Sequence, residues 1–119
     1  MFQFPFYWYS CPPLLKKWFD NVLTFGWAYG PRGDKLLGKE FMIATTTGGT
    51  EASYRSGGEN TYTISEFLRP IERTLMRCNG TFLPVFVAYS VMQAKDADLA
   101  HIAEKYSKFI RGSREVLIH

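Results

Sequence analysis

The sequence predicts an α/β fold: a parallel sheet with helices on its faces. Two observations carry the prediction. Short apolar, β-favouring runs alternate with amphipathic helical stretches in the order β-α-β-α-β-α, which is the pattern of crossover-connected parallel strands. The run Phe41-Met42-Ile43-Ala44-Thr45 is continuously apolar up to its last residue, as a strand covered on both faces should be. No internal repeat or low-complexity tract competes with this reading, although three strands are few for such a sheet.

Taken in order, Met1 to Phe4 reads as the end of a strand and enters at once a run, Phe4 to Tyr9, in which only Pro5 is not aromatic. Pro12 and Pro13 suit a helix start, where a missing N–H costs nothing, and Ser10 is a candidate cap. Leu15, Trp18, Phe19, Val22 and Leu23 then recur at helical spacing opposite Lys16, Lys17, Asp20 and Asn21, with Gly26 as the expected stop. A turn-rich loop, Gly30 to Asp34, leads to the strand at 41–45. That strand empties into Thr46-Thr47-Gly48-Gly49-Thr50 and a polar loop reaching about Tyr62. Thr63 and Glu66 have capping-box spacing, opening a helix with Ile64, Leu68, Ile71 and Leu75 on one face. Pro70 should kink or divide it near Arg69, and Asn79-Gly80 should close it. Phe82 to Tyr89, with Pro84 near its start, is the third strand. Asp96 or Asp98 should cap a last helix with Leu99, Ile102, Ala103, Tyr106 and Ile110 facing inward, ending at Gly112.

Composition excludes several classes. The 119 residues are at most one domain, 46% hydrophobic and 21% charged, as in ordinary soluble proteins. The net charge of +3 is scattered rather than gathered into a basic run, so no nucleic-acid partner is expected. Cys11 and Cys78 lie far apart without metal-ligand spacing and read as buried apolar thiols in a reducing cytoplasm. His101 and His119 read as solvated, and Arg69 and Arg73 as surface ion-pair partners or phosphate contacts. No apolar run reaches the ~18 residues of a membrane span.

The aromatic share of 17% is the outlier. Flat side chains next to rigid turn residues suit a pocket for a flat ring. A hydrophobic core is the plain alternative for the aromatic run, and a tight turn for Thr46–Gly49.

FPFYWYSCPPLLKKWFDNVL, then GWAYG, then the strand ending TTTGG resemble the flavodoxin-like NAD(P)H:quinone oxidoreductases. Within them the likeness is to the ancillary proteins of glutathione-regulated potassium-efflux systems, and SEFLRPIERTLMRCNGTFLPVFVAY is similar to the same branch. It runs from about Phe2 to Ile110. The resemblance implies a three-layer, flavodoxin-like parallel sheet with an FMN or FAD ring at the carboxyl ends of its strands. Only the C-terminal part of that sheet, about three strands and three helices, is expected here. Residues 1–112 would be a partial domain lacking its first two βα units, roughly 60 residues, and 113–119 a loose tail. A truncated or misassigned reading frame is the expectation that follows. The family's phosphate-holding loop belongs to the missing part, and no glycine-rich loop leads from a strand straight into a helix here to replace it.

By the same resemblance, Pro5, Phe6, Tyr7, Trp8 and Tyr9 would lie along the ring, their backbone N–H groups serving its pyrimidine end and N5. Thr46, Thr47, Gly48 and Gly49 would stabilise charge on the N1–O2 side. Tyr54 would be the catalytic residue over the substrate side, and Asn60 stands where mammalian relatives place a histidine. Trp27 and Tyr29 would line the pocket mouth or a dimer contact, or simply pack. The implied activity is hydride transfer from NAD(P)H to a quinone, in a cytoplasmic homodimer. The alternative is a regulatory subunit that binds and activates a potassium/proton antiporter at the inner membrane; a remnant holding no flavin is a third reading.

Overall fold

The computed structural model describes residues 1–112; the expected tail, 113–119, lies outside the described residues. The β-favouring runs pair in parallel. Strands β1 (Phe2–Pro5), β3 (Ile43–Thr46) and β5 (Phe86–Ala88) form one sheet in the order β1-β3-β5, and β2 (Glu40–Phe41) pairs with β4 (Thr81–Phe82) in a separate short ladder. Register runs from Phe2↔Ile43 to Pro5↔Thr46 on one side of β3 and from Ala44↔Phe86 to Thr46↔Ala88 on the other.

The strands expected at 41–45 and 82–89 are therefore each divided. Met42 separates β2 from β3, and the stretch containing Pro84, which has no N–H to give a ladder, separates β4 from β5. The Leu83 N–H still donates to the Phe41 carbonyl at 2.7 Å, so the two ladders follow one course with a break.

Helix α1 (Pro13–Val22) starts at the proline pair, but no side chain caps it. Ser10 instead exchanges backbone bonds with Tyr7, because the aromatic loop turns back on itself before the helix begins. The helix also stops before Gly26: the Leu23 N–H still reaches Phe19, after which Thr24 to Gly26 turn, with Gly26 at φ 80°. Pro70 divides the next helix as expected, into α2 (Ile64–Phe67) and α3 (Arg69–Arg77). Thr63 and Glu66 form the reciprocal cap, and Asn79 adopts the left-handed conformation that ends α3. Helix α4 (Asp96–Arg111) starts after Lys95, whose N–H donates to the Asp98 carboxylate at 3.0 Å.

Side chains alternate across the sheet, producing three layers. Phe4 and Ile43 face α1, α2 and α3 in a core with Phe19, Ile71 and Leu75. On the other face the ring of Phe86 stacks on Tyr106 of α4 at 4.8 Å, and Phe109 packs on Met42 and Leu83. Of the apolar residues of α4 expected inward, Ile102 and Tyr106 are partly covered, as is Phe109; Leu99, Ala103 and Ile110 are exposed. A sheet this narrow covers one stripe of the helix, and those three lie beside it.

Two outcomes follow. Leu75→Ala, in a fully buried position, should lower unfolding free energy by about 2–5 kcal/mol, read from urea midpoints. Thr63→Ala should cost about 1 kcal/mol through the lost cap. The Thr63 bonds hold the Glu66 carboxyl below its ordinary pKa. The cap's contribution is therefore present above that ordinary value and lost as pH falls through the folded one.

Candidate functional site

All three strands of the main sheet point their carboxyl ends the same way, so the loops that follow them emerge together. The Phe6 N–H donates to the Thr46 carbonyl and the Thr47 N–H to the Ala88 carbonyl, each at 2.9 Å. These bonds carry the ladder one residue beyond the strands. From there the first loop runs 6–10, the second 47–50 and the third 89–91.

The first loop divides its aromatics between two tasks. Phe6 and Tyr9 pack on Phe67, with ring centroids 5.7 and 5.0 Å away, Phe6 half-buried and Tyr9 still 45% exposed. Tyr7 and Trp8 project outward, 54% and 80% exposed. The four expected to line one ring therefore split, because the loop packs its base against α2 while presenting its tip. Pro5 closes β1 and is exposed. Trp8 and Tyr9 have φ of 44° and 61°, a left-handed conformation that non-glycine residues adopt only when held there. Among the described residues their N–H groups have no partner.

The second loop is clamped from the third. Ser90 donates its N–H to Gly49 and Val91 to Thr47, both at 3.0 Å. The Thr47 side chain is buried and donates to the Gly49 carbonyl at 2.9 Å, so this hydroxyl shapes the loop rather than facing outward; Thr46 is exposed. The N–H groups of Gly48 and Gly49 have no partner among the described residues. A Cβ at Gly49 would press on Ser53 Oγ and Tyr54 at 3.1 Å and on Asn60 Nδ2 at 3.2 Å.

Tyr54 lies beneath both loops, its buried ring 5.9 Å from Phe6 and 6.0 Å from Tyr89. Burial pushes its phenol above the ordinary 10.0, with the Tyr9 phenol adding to the effect. Tyr89 is raised too, first by burial, then by Glu51 and Tyr54. Both remain neutral donors at neutral pH.

Three contributors escaped the sequence reading: Ser53, Tyr89 and Ser90. Tyr89 ends an apolar run and could have been found as its one polar-tipped residue, whereas the Ser53 and Ser90 bonds leave no sequence trace. Asn60 accepts a hydrogen bond from the Tyr9 hydroxyl at 3.1 Å and donates to Ser53 Oγ at 2.9 Å.

Other expectations resolve elsewhere. Trp27 and Tyr29 sit in the connection from α1 to β2, at the opposite end of the sheet, where the Arg77 guanidinium lies 5.2 Å over the Tyr29 ring. Neither Arg69 nor Arg73 makes an ion pair among the described residues; Arg73 lines a cleft of about 550 Å³ between α1 and α3. Cys78 is buried, Cys11 half-buried, and both are free. His101 is exposed; His119 lies outside the described residues. Among the described residues no helix is long and apolar enough to cross a membrane.

Parallel strands flanked by helices on both faces, with amide donors gathered at their carboxyl ends, define a doubly wound α/β protein. The chain belongs to the flavodoxin-like fold family, whose model matches residues 1–110. It is 48% identical over 110 residues to an uncharacterized NAD(P)H oxidoreductase, YdeQ, of Bacillus subtilis, covering 92% of this chain and 56% of that protein. Over 110 residues it is 40% identical to KefG, a glutathione-regulated potassium-efflux system ancillary protein of Cronobacter sakazakii, covering 92% and 60%. The chain thus spans less than two-thirds of either relative. It superposes with a TM-score of 0.86 on general stress protein 14 of Treponema denticola, solved in complex with FMN, at 39% identity, covering 92% and 62%. The corresponding values for an NADPH-quinone reductase of P. pentosaceus are 0.81, 30%, 90% and 63%.

A spectroscopic titration at 295 nm should show Tyr54 and Tyr89 ionising last, and Tyr54→Phe should remove one of the late steps. Their folded pKa values lie above the unfolded 10.0. Their contribution to stability is therefore complete below pH 10.0 and falls as pH climbs through the folded values.

Proposed function

We propose that the two loops form the ring side of a flavin site, for FMN or FAD, in an enzyme passing hydride from NAD(P)H to a quinone. The observation that carries the reading is the set of four unpaired N–H groups, of Trp8, Tyr9, Gly48 and Gly49. They lie on two loops whose roots are joined by the Phe6–Thr46 bond. Unsatisfied amides beside an exposed aromatic tip suit a ligand with a polar edge and a flat face. Bound there, a flavin supplies two-electron hydride chemistry.

The chain's own contributions are separate. Pro5 and Phe6 fix where the aromatic loop leaves the sheet, and Tyr7, Trp8 and Tyr9 offer flat surface. Thr46 and Thr47 set the course of the second loop, whose free Gly48 and Gly49 amides would hold the polar edge of the ring and stabilise negative charge there. Tyr54, neutral and buried beside the site, would serve as the proton donor to the substrate in this reading. Trp27 and Tyr29 are at the far end of the sheet, so any role at a pocket mouth would have to come from a second copy, which agrees with a homodimer. The names of YdeQ and the quinone reductase and the FMN in the Treponema protein support this reading. The likeness to KefG favours a second role, binding a potassium-efflux antiporter from the cytoplasmic side.

Titrating the protein with FMN should quench flavin fluorescence, and the complex should then oxidise NADPH when a benzoquinone is supplied. No change in flavin fluorescence or absorbance would overturn the reading. Trp8→Ala should leave unfolding free energy within about 0.5 kcal/mol yet weaken FMN binding by roughly tenfold. Flavin binding without NADPH oxidation, together with retention on antiporter-containing vesicles, would favour the regulatory role.

A further inference from the structure

We infer that Asn60 is a positioning residue whose carboxamide ties the aromatic loop to the glycine loop and fixes their spacing. The bridge itself is read from the chain's geometry; its consequence for ligand binding rests on the flavin reading above.

A carboxamide has one acceptor and two donors on a single planar group, and Asn60 uses both kinds. Its Oδ1 accepts from the Tyr9 hydroxyl at 3.1 Å, while its Nδ2 donates to Ser53 Oγ at 2.9 Å. Ser53 Oγ in turn donates to the Thr50 carbonyl at 2.7 Å. The chain Tyr9–Asn60–Ser53–Thr50 thus runs from one loop to the other, with every donor facing an acceptor. The Asn60 backbone is pinned as well, its N–H donating to the Ser53 carbonyl at 2.9 Å. The carboxamide lies against Gly49, where a Cβ would stand 3.2 Å from Nδ2.

Two features show why such a tie is needed. Trp8 and Tyr9 hold left-handed backbone that an isolated loop would relax. The Tyr9 hydroxyl bond and the packing of its ring on Phe67 restrain that conformation from the side-chain end. Both loops also carry unpaired amides, so a ligand touching both needs their separation set in advance. A carboxamide does not titrate near neutral pH, so this position holds geometry and passes no proton.

Hydrogen exchange on the ligand-free protein tests the bridge directly. Asn60→Ala and Tyr9→Phe should each lower protection, by roughly three- to tenfold, at the bonded amides of the aromatic loop, Tyr7 and Ser10, and at Ser90 and Val91, whose N–H groups hold the glycine loop. Tyr9→Phe removes one exposed hydroxyl and leaves the fold in place. Asn60→His, which restores one donor and one acceptor, should recover most of the protection. Unchanged protection in both Asn60→Ala and Tyr9→Phe would overturn the inference.

In FMN titrations each of the two variants should bind roughly three- to tenfold more weakly. The double variant should bind no worse than the weaker single one, since both break the same tie. Additive losses, or equal FMN affinity in all variants, would also overturn it. If the unaltered protein binds no FMN, the flavin reading fails, while the exchange comparison still decides whether the bridge exists.

Discussion

The pairing of β3 with a parallel neighbour on each side is the constraint from which the rest follows. Ile43, Ala44 and Thr45 are buried on both faces of the sheet, and a parallel strand so placed cannot slip by one residue without exposing one set of side chains. With that register fixed, β1 and β5 end level with Thr46. Irregular backbone therefore begins at the same height on all three strands. The polar groups it leaves unpaired face one end of the molecule, where a ligand can use them.

Local chemistry made much of this fold legible. The order of strands and helices, the break at Pro70 and the Thr63–Glu66 cap rest on residues close together in sequence, and the structure keeps them. Pro84 was visible too, but its effect was larger than a residue count suggests: without its N–H, the run from Phe82 to Tyr89 becomes two short strands. The face of α4 was misjudged for another reason. Its periodicity is real, but how wide a stripe is covered depends on how many strands lie beneath it, which helical spacing does not encode.

The candidate site was legible as residue types and not as connections. Aromatics beside prolines, and threonines running into glycines, suggested a flat ligand. Nothing in the pattern said that Phe6 and Tyr9 would pack on Phe67 while Tyr7 and Trp8 stand clear of it. That division depends on Phe67, which lies far along the chain and meets Phe6, Tyr9, Tyr54 and Tyr62. The plain alternative of core packing thus holds for Phe4 and Phe6. A mostly exposed tryptophan on left-handed backbone is not what packing would produce.

The distribution of charge sharpens the same point. Arg73, Arg77 and a Lys16–Asp20 ion pair gather around the cleft between α1 and α3, while the loop ends offer amides. Amide donors do not titrate, and their aim is set wholly by the path of the backbone. In such a site the influential side chains are those that bend the chain and hold it bent. Thr47 spends its hydroxyl on Gly49, Ser53 on Thr50, and Asn60 joins the two loops. Replacing an outward-facing residue here alters contact area, whereas replacing one of these inward ties moves the donors themselves. That asymmetry explains why polar side chains with no outward role accumulate around two glycines.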